Sequence, residues 1–370
     1  MVALKALLLL LGLLLLLSYH ATAALHFRPD GTFTILHISD VHFVDPVNTT
    51  TGACGNTNRC QCYDLSSEQL PYPCSGANTT ALIRRLVATE QPDLVAFQGD
   101  LMDGRCLDPE YCLGEVLSTA GGTPFAYILG NHDPFSVAAG PAGIGTRHCA
   151  GAPGSCRRQV MEMGASYGHG SLAQLGPPGI HGFGNYLLEV ANNNASLEVG
   201  LQLFFFDSGS DNDGYNERVP GYDYVWPEQV NWFEQQVKGD GVPALAFMHI
   251  PTQEWAEAVA APGANVTGSH FDGISPSTVN GGLYAGFLNP ESGVKAAFCG
   301  HDHTNDFCVP YNGVQLCYEG AVGYQAYGKS GYGRRARVTQ VRGFGTSIVS
   351  WKRLDDGSVV DEQVLWEKKV

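Results

Sequence analysis

Residues 298–308 read FCGHDHTNDFC and close the short apolar run VKAAFC (294–299). A continuous apolar run of this length reads as a strand buried on both faces. His301 and His303 follow it and flank Asp302. In an extended segment, side chains at i and i+2 project to one side. The strand end therefore aims both imidazoles into one cavity, where each can take a different metal.

Four other apolar runs end in metal-capable residues. TFTILHISDVHF (32–43) delivers Asp40 and His42, PDLVAFQGD (92–100) delivers Asp100, TPFAYILGNHD (123–133) delivers Asn131, His132 and Asp133, and VPALAFMHIP (242–251) delivers His249. LQLFFFDSG (201–209) is a further buried-strand candidate. Helical patterns lie between them. NTTALIRRLVATEQPD gathers Leu82, Ile83, Leu86 and Val87 on one face and stops at Pro92. WPEQVNWFEQQVKGD opens with Pro227, keeps Val230, Phe233 and Val237 together and ends at Gly239. Strands alternating with helices argue for α/β layers, with ligands at the carboxyl ends of the strands.

Each of these residues alone has a bland explanation: a lone histidine is more often structural, and GNHD alone could be a turn. The ordered set carries the argument. Asp40 and His42 again share an i, i+2 face. A carboxylate such as Asp100 can bridge two cations and offset their repulsion. Asn131 adds a neutral oxygen, and His249, His301 and His303 add ring nitrogens. This donor set accepts Fe, Zn or Mn.

The remaining sequence sets the context. The chain has 370 residues, is 44% hydrophobic and carries a formal charge of −15. That charge argues against a nucleic-acid partner, though not against a small phosphorylated substrate at a locally positive metal site. Lys5 and the run ALLLLLGLLLLL precede ATAA, the pattern of a secretory signal peptide cut near Ala23–Ala24. No later run is long enough to span a membrane. Sequons start at Asn48, Asn78, Asn194 and Asn265. Eleven cysteines in a secreted chain favour disulfides, with at least one left over. Proximity pairs Cys106 with Cys112, Cys149 with Cys156 and Cys308 with Cys317. Cys54, Cys60, Cys62 and Cys74 fit no common zinc-finger spacing and can hold two more bridges. Cys299 is the candidate free, buried thiol. These features predict a signal peptide over 1–23 and one domain over 24–370. Residues 45–77 read as a disulfide-stapled, glycosylated insertion, and the Gly/Tyr-rich 320–333 as a loop near the site. Lys329, Arg334, Arg335 and Arg337 read as a solvated strand edge, with phosphate contact as the alternative. GASYGHG (164–170) and His270 are candidates for the pocket mouth. No Gly-x-Ser-x-Gly elbow supports serine hydrolysis.

With SDVH, GDLMD, GNHD, MHIP and GHDH in order, the chain resembles the calcineurin-like metallophosphoesterase superfamily. More narrowly, it resembles the short single-domain purple-acid-phosphatase-related proteins of plants and algae. That match extends through HGFGNY, FFFDSG, PGYDY, AYGKSGYGRRARV and SWKRLDD. The resemblance implies an α/β (α+β) four-layer sandwich: two mixed β-sheets flanked by helices. It implies that Asp40, His42, Asp100 and His303 hold one metal ion, and that Asp100, Asn131, His249 and His301 hold the second. His132 would contact phosphate or protonate the leaving oxygen, oriented by Asp103 or Asp133. In the family a tyrosine that binds iron stands where this chain has Asp103, so no purple colour is expected. The implied function is a secreted phosphatase, extracellular or vacuolar, that hydrolyses phosphate monoesters by attack of a metal-bound hydroxide. The alternatives are a phosphodiesterase of sphingomyelinase-like or nucleotide-cleaving type, and an inactive secreted glycoprotein.

Overall fold

The computed structural model describes residues 25–44, 76–103, 106, 108–133, 155–168, 170–193, 198–211, 221–239 and 241–369. The leader, Cys54, Cys60, Cys62, Cys74, Cys149, His169 and the sequons at Asn48 and Asn194 lie outside the described residues.

In chain order the described elements are β1 (Leu25–His26), β2 (Phe33–Ile38), α1 (Gly76–Glu90), β3 (Leu94–Gln98), α2 (Pro109–Leu117), β4 (Phe125–Ile128) and α3 (Ser155–Ala165). There follow β5 (Tyr186–Ala191), β6 (Val199–Phe205), α4 (Pro227–Gln236), β7 (Ala244–Phe247), α5 (Glu254–Ala260), α6 (Leu283–Phe287) and β8 (Val294–Cys299). The chain closes with β9 (Cys308–Tyr311), β10 (Val314–Tyr318), β11 (Arg335–Arg342), β12 (Ser347–Leu354) and β13 (Val359–Glu367). Each apolar run that ends in a candidate ligand forms a strand. Helix α4 stops at Gln236, short of the expected Gly239, because Val237 is already extended at ψ 139°. At its start, Gln229 Oε1 accepts the Trp226 N–H and satisfies a donor that the helix leaves open.

The strands form two mixed sheets. One is ordered β1-β5-β6-β7-β8-β10-β9, the other β13-β12-β11-β2-β3-β4. Within them β2, β3 and β4 run parallel, as do β6, β7, β8 and β10. Every candidate ligand lies just beyond the carboxyl end of one of these parallel strands.

Period-2 alternation explains why the runs are apolar throughout. Phe205, Phe247 and Phe298 face the core shared by the two sheets. Phe204 and Phe206 face the opposite side, with Phe233 of α4 and Phe287 of α6. Burying one such ring contributes about 1.5–3 kcal/mol, so both faces of the strand add stability. Across neighbouring strands Phe205 stacks on Phe247 at 4.7 Å between ring centroids, and Phe247 on Phe298 at 5.6 Å. Helix α1 packs against β2 and α3 against β4.

A polar contact ties the sheets behind the site. His37 of β2 is fully buried, with Nδ1 at 2.7 Å from Glu319 Oε1 and 2.8 Å from Gln98 Oε1. Burial pushes the imidazole down to about 3 and the Glu319 carboxyl well up, so it disfavours charge on both partners.

Cys106–Cys112 and Cys308–Cys317 are bridged, and Cys299 is free and buried. Cys156 is also disulfide-bonded. The expected insertion ends sooner than Ala77, since α1 already begins at Gly76. Two expectations are corrected. Asn78 lies in the first turn of α1 and is buried, so a sequon there presents no exposed amide. Arg334, Arg335 and Arg337 are not a solvated edge, because all three are buried and bonded inside the protein. Arg337 donates to the Tyr318 and Asp306 carbonyls, and Arg335 and Lys352 pair with the Asp306 carboxylate at 2.6 and 2.8 Å. Unpaired cations at such depth would be costly, so the carboxylate is their counter-charge. Lys329 is the exposed member, its Nζ 4.9 Å from the Phe271 ring centroid.

Candidate metal centre

The turns after β2, β3 and β8 are tight. Asp40, His42, Asp100 and His301 adopt positive φ, at 54°, 48°, 50° and 78°. They are half of the eight such non-glycine residues among the described ones. This backbone costs on the order of 1–3 kcal/mol per residue, and it curls each side chain back over its strand end. Gly130 is required between them, since a Cβ there would lie 2.1 Å from Asp100 Oδ1.

The result is a set of buried donor atoms in mutual contact. Asp40, His42, Asp100 and His303 offer atoms within 4.8 Å of one another, and so do Asp100, His249 and His301. Asp100 belongs to both groups. Its Oδ2 is 3.1 Å from His249 Nε2 and 3.5 Å from His42 Nε2. Asn131 Oδ1 joins the second group, 3.1 Å from His249 Nε2 and 2.9 Å from His301 Nδ1. All seven expected ligands are thus brought together.

The hydrogen bonds fix which nitrogen each ring offers. A carbonyl only accepts, so His249 Nδ1 donates to Gln98 O at 2.9 Å and His303 Nδ1 to Tyr327 O at 3.1 Å. Both Nε2 atoms then present lone pairs to the cluster. His42 Nδ1 faces Asp103 Oδ2 at 3.5 Å, leaving its Nε2 3.1 Å from His303 Nε2. His301 Nε2 is buried with no hydrogen-bond partner among the described residues. Carboxylates, an amide oxygen and converging nitrogen lone pairs suit a pair of borderline cations, so the residues present fit the two-metal expectation.

The charges agree. Burial opposes ionisation of Asp40, but the His303 and His249 rings outweigh it and hold the carboxyl down at about 2. Burial likewise opposes charge on His249, yet Asp100 and Asp40 raise it to about 10. Burial and the neighbouring His249 push His301 down to about 3.

His132 stands at the edge of this cluster. The residue is exposed as a whole, its ring 4.9 Å from His42 between centroids and partly desolvated, while its backbone N–H donates to Asp100 Oδ1 at 2.7 Å. Burial lowers its pKa, but Asp100 and Asp103 raise it by more and favour the imidazolium. Of the two carboxylates expected to orient His132, Asp103 shares a cluster with it and His42. Asp133 does not. Its oxygens accept the Met102 and Gly130 N–H groups at 3.0 and 2.7 Å, so it ties together the loops after β3 and β4. Those contacts give Asp133 a structural role.

The cavity over the cluster encloses about 230 Å³. Besides the ligands His42, Asp100, Asn131, His301 and His303 it is lined by Asp103, His132, Tyr222, Asp272, Ser275, Asp302 and Tyr327. Tyr222 stands edge-on to His301 at 4.4 Å, and Tyr327 stacks on His303. Sequence reasoning placed 320–333 near the site without singling out Tyr327, and it missed Tyr222 and Asp272. A tyrosine carries no spacing signal, and its approach depends on loop geometry. His270 packs against Phe307 instead of lining the cavity.

A family model described as calcineurin-like phosphoesterase matches residues 33–305. Two Arabidopsis thaliana proteins, named Probable inactive purple acid phosphatase 28 and Probable inactive purple acid phosphatase 14, are 36% and 32% identical to the chain. Each alignment covers 93% of this chain and 86% of the relative. A solved dimetal phosphatase from Danio rerio shares the fold with a TM-score of 0.52 at 15% identity, covering 92% of this chain and 100% of its own.

Proposed function

Because the chain belongs to the calcineurin-like phosphoesterase family, we propose that it is a secreted phosphatase that hydrolyses phosphate monoesters at a two-cation centre. The observation that carries this reading is the convergence of seven buried nitrogen and oxygen donors around Asp100. Asp40, His42 and His303 would hold one cation, Asn131, His249 and His301 the other, and Asp100 would serve both. Zinc, manganese and iron suit these ligands. When bound, such cations neutralise phosphoryl oxygens and acidify a water for in-line attack.

The protein's own groups do the rest. The strained turns hold the ligands in place before substrate arrives, so little reorganisation remains to be made. His132 lines the cavity and, in its protonated form, can give a proton to the leaving oxygen. Asp103 orients His42 through Nδ1 and keeps His132 charged. Tyr222 and Tyr327 wall the cavity. The leader, the sequons and the bridged cysteines support passage through the secretory pathway.

A second reading has its own support. The named relatives are called inactive, and Asp103 replaces a tyrosine, so a chain that binds cations without turnover is the competitor. Initial rates on an aryl phosphate monoester and its matching diester, from acidic to neutral pH with Zn, Mn or Fe supplied, separate the two. The proposal expects faster monoester turnover, abolished in Asp100→Asn and His301→Ala with the fold intact. Absence of turnover on either ester in metal-loaded wild type would overturn it. Faster diester turnover would move the substrate class.

A further inference from the structure

The stretch after β8 does more than deliver two histidines. Three later side chains hold one loop, residues 269–275. Asp306 Oδ1 accepts the Ser269 N–H at 2.6 Å. Asn305 Oδ1 accepts the Phe271 and Asp272 N–H groups at 3.1 and 2.9 Å, and Asn305 Nδ2 donates to Gly273 O. Asp302 Oδ2 accepts the Ser275 N–H at 3.0 Å. The loop is therefore pinned at both ends and in the middle to the segment that carries His303.

So pinned, the loop presents Asp272, whose carboxylate accepts the Tyr327 hydroxyl proton. Tyr327 in turn engages His303 in three ways. Its ring stacks on the imidazole with centroids 3.8 Å apart and planes 15° from parallel. Its hydroxyl oxygen accepts the His303 backbone N–H at 3.0 Å. Its carbonyl accepts from Nδ1 at 3.1 Å, which fixes the tautomer that leaves Nε2 free. That carbonyl is itself held by the buried Arg334, whose Nη1 donates to it at 3.0 Å while Nη2 donates to Ala326 O at 2.7 Å. Tautomer, ring plane and backbone of one ligand are all set through a single residue.

We propose that Tyr327 is the positioning residue for His303, with Asp272 and Arg334 holding it from either side. The 269–275 loop thereby sets the affinity of the cation site that includes His303. The inference rests on the two-cation reading. An outer partner that orients a ligating histidine typically carries about 10–100-fold in metal affinity. Here the stack, the hydroxyl and the carbonyl share that work.

The test is equilibrium binding of Zn²⁺ to metal-free full-length protein, in competition with a chromophoric chelator. It compares wild type, Tyr327→Ala, Tyr327→Phe and Asp272→Asn, together with the thermal midpoint of each metal-free protein. Tyr327→Ala is expected to lose about 10–100-fold at one of two sites, with the other site and the metal-free midpoint unchanged. Tyr327→Phe keeps the stack and the carbonyl, so it loses less, and Asp272→Asn follows it. Wild-type affinity at both sites in Tyr327→Ala would overturn the proposal. So would equal weakening of both sites in step with a fallen midpoint, which would mark a merely structural role. If Tyr327→Ala does not fold, unchanged affinity in both milder variants overturns it equally. A wild-type chain that binds fewer than two cations would instead overturn the two-cation reading on which the proposal stands.

Discussion

Asp103 faces His42 Nδ1 at 3.5 Å and shares a cluster with His132. Its carboxylate therefore acts on a ligand ring and on the proton donor, where a tyrosine would act on the cation itself. Asp103→Asn keeps the size of the side chain and removes the charge that orients one ring and keeps the other protonated. Its kcat/KM on an aryl phosphate is expected to fall by about 10–100-fold, against complete loss in Asp100→Asn. Unchanged kinetics would show that Asp103 serves neither histidine. This residue also marks how far sequence reasoning reaches. GDLMD brought Asp103 to notice and GNHD brought Asp133, but the motif could not say which carboxylate meets His132. That depends on where two loops cross, and Asp133 turns out to bind the Met102 and Gly130 backbone.

At the level of elements, β11 and β12 supply a buried cation cluster that the sequence presented as a basic surface. Arg335 and Lys352 both pair with Asp306, which is itself fully buried. Removing its charge leaves Arg335 without its ion-pair partner and Lys352 with Asp361 alone, and breaking such a buried arrangement costs about 3–5 kcal/mol. Asp306→Asn is expected to lower stability by that order at neutral pH. The pH dependence follows from the carboxyl. Burial raises its pKa, but Lys352 and Arg335 outweigh burial and hold it below 3.8. A depressed carboxyl contributes stability that is present above its unfolded value and lost as pH falls through the folded one. The gap in urea midpoint between wild type and Asp306→Asn should therefore be full at pH 7 and shrink below about pH 4. A gap independent of pH would contradict the pairing. The start of α1 gives a second element-scale prediction. Asn78 is buried and Asn265 exposed, so mass spectrometry of the secreted chain should find a glycan at Asn265 and none at Asn78. Occupancy at Asn78 would contradict its burial in α1.

For the whole molecule, the legible part was whatever a short-range pattern encodes. The runs ending in Asp40, Asp100, Asn131, His249 and His301 read as strands because each is apolar on both faces. Phe204 and Phe205 show why, since they fill cores on opposite sides of one sheet. The candidate ligands were legible because each sits at a fixed step beyond its strand. What remained hidden depends on contacts between distant segments. Tyr327 meets His303 and Asp272 across separations of 24 and 55 residues, and Arg337 is buried because β11 lies between β2 and β12. No local pattern distinguishes such an arginine from one on a strand edge. All these features converge on one claim, that seven side chains hold two cations with Asp100 between them. Elemental analysis of the purified chain, after equilibration with Zn²⁺ or Mn²⁺ and removal of unbound metal, tests it most directly. The account predicts two equivalents per wild-type chain and a clear loss in Asp100→Asn. One equivalent or fewer in the wild-type chain would contradict it.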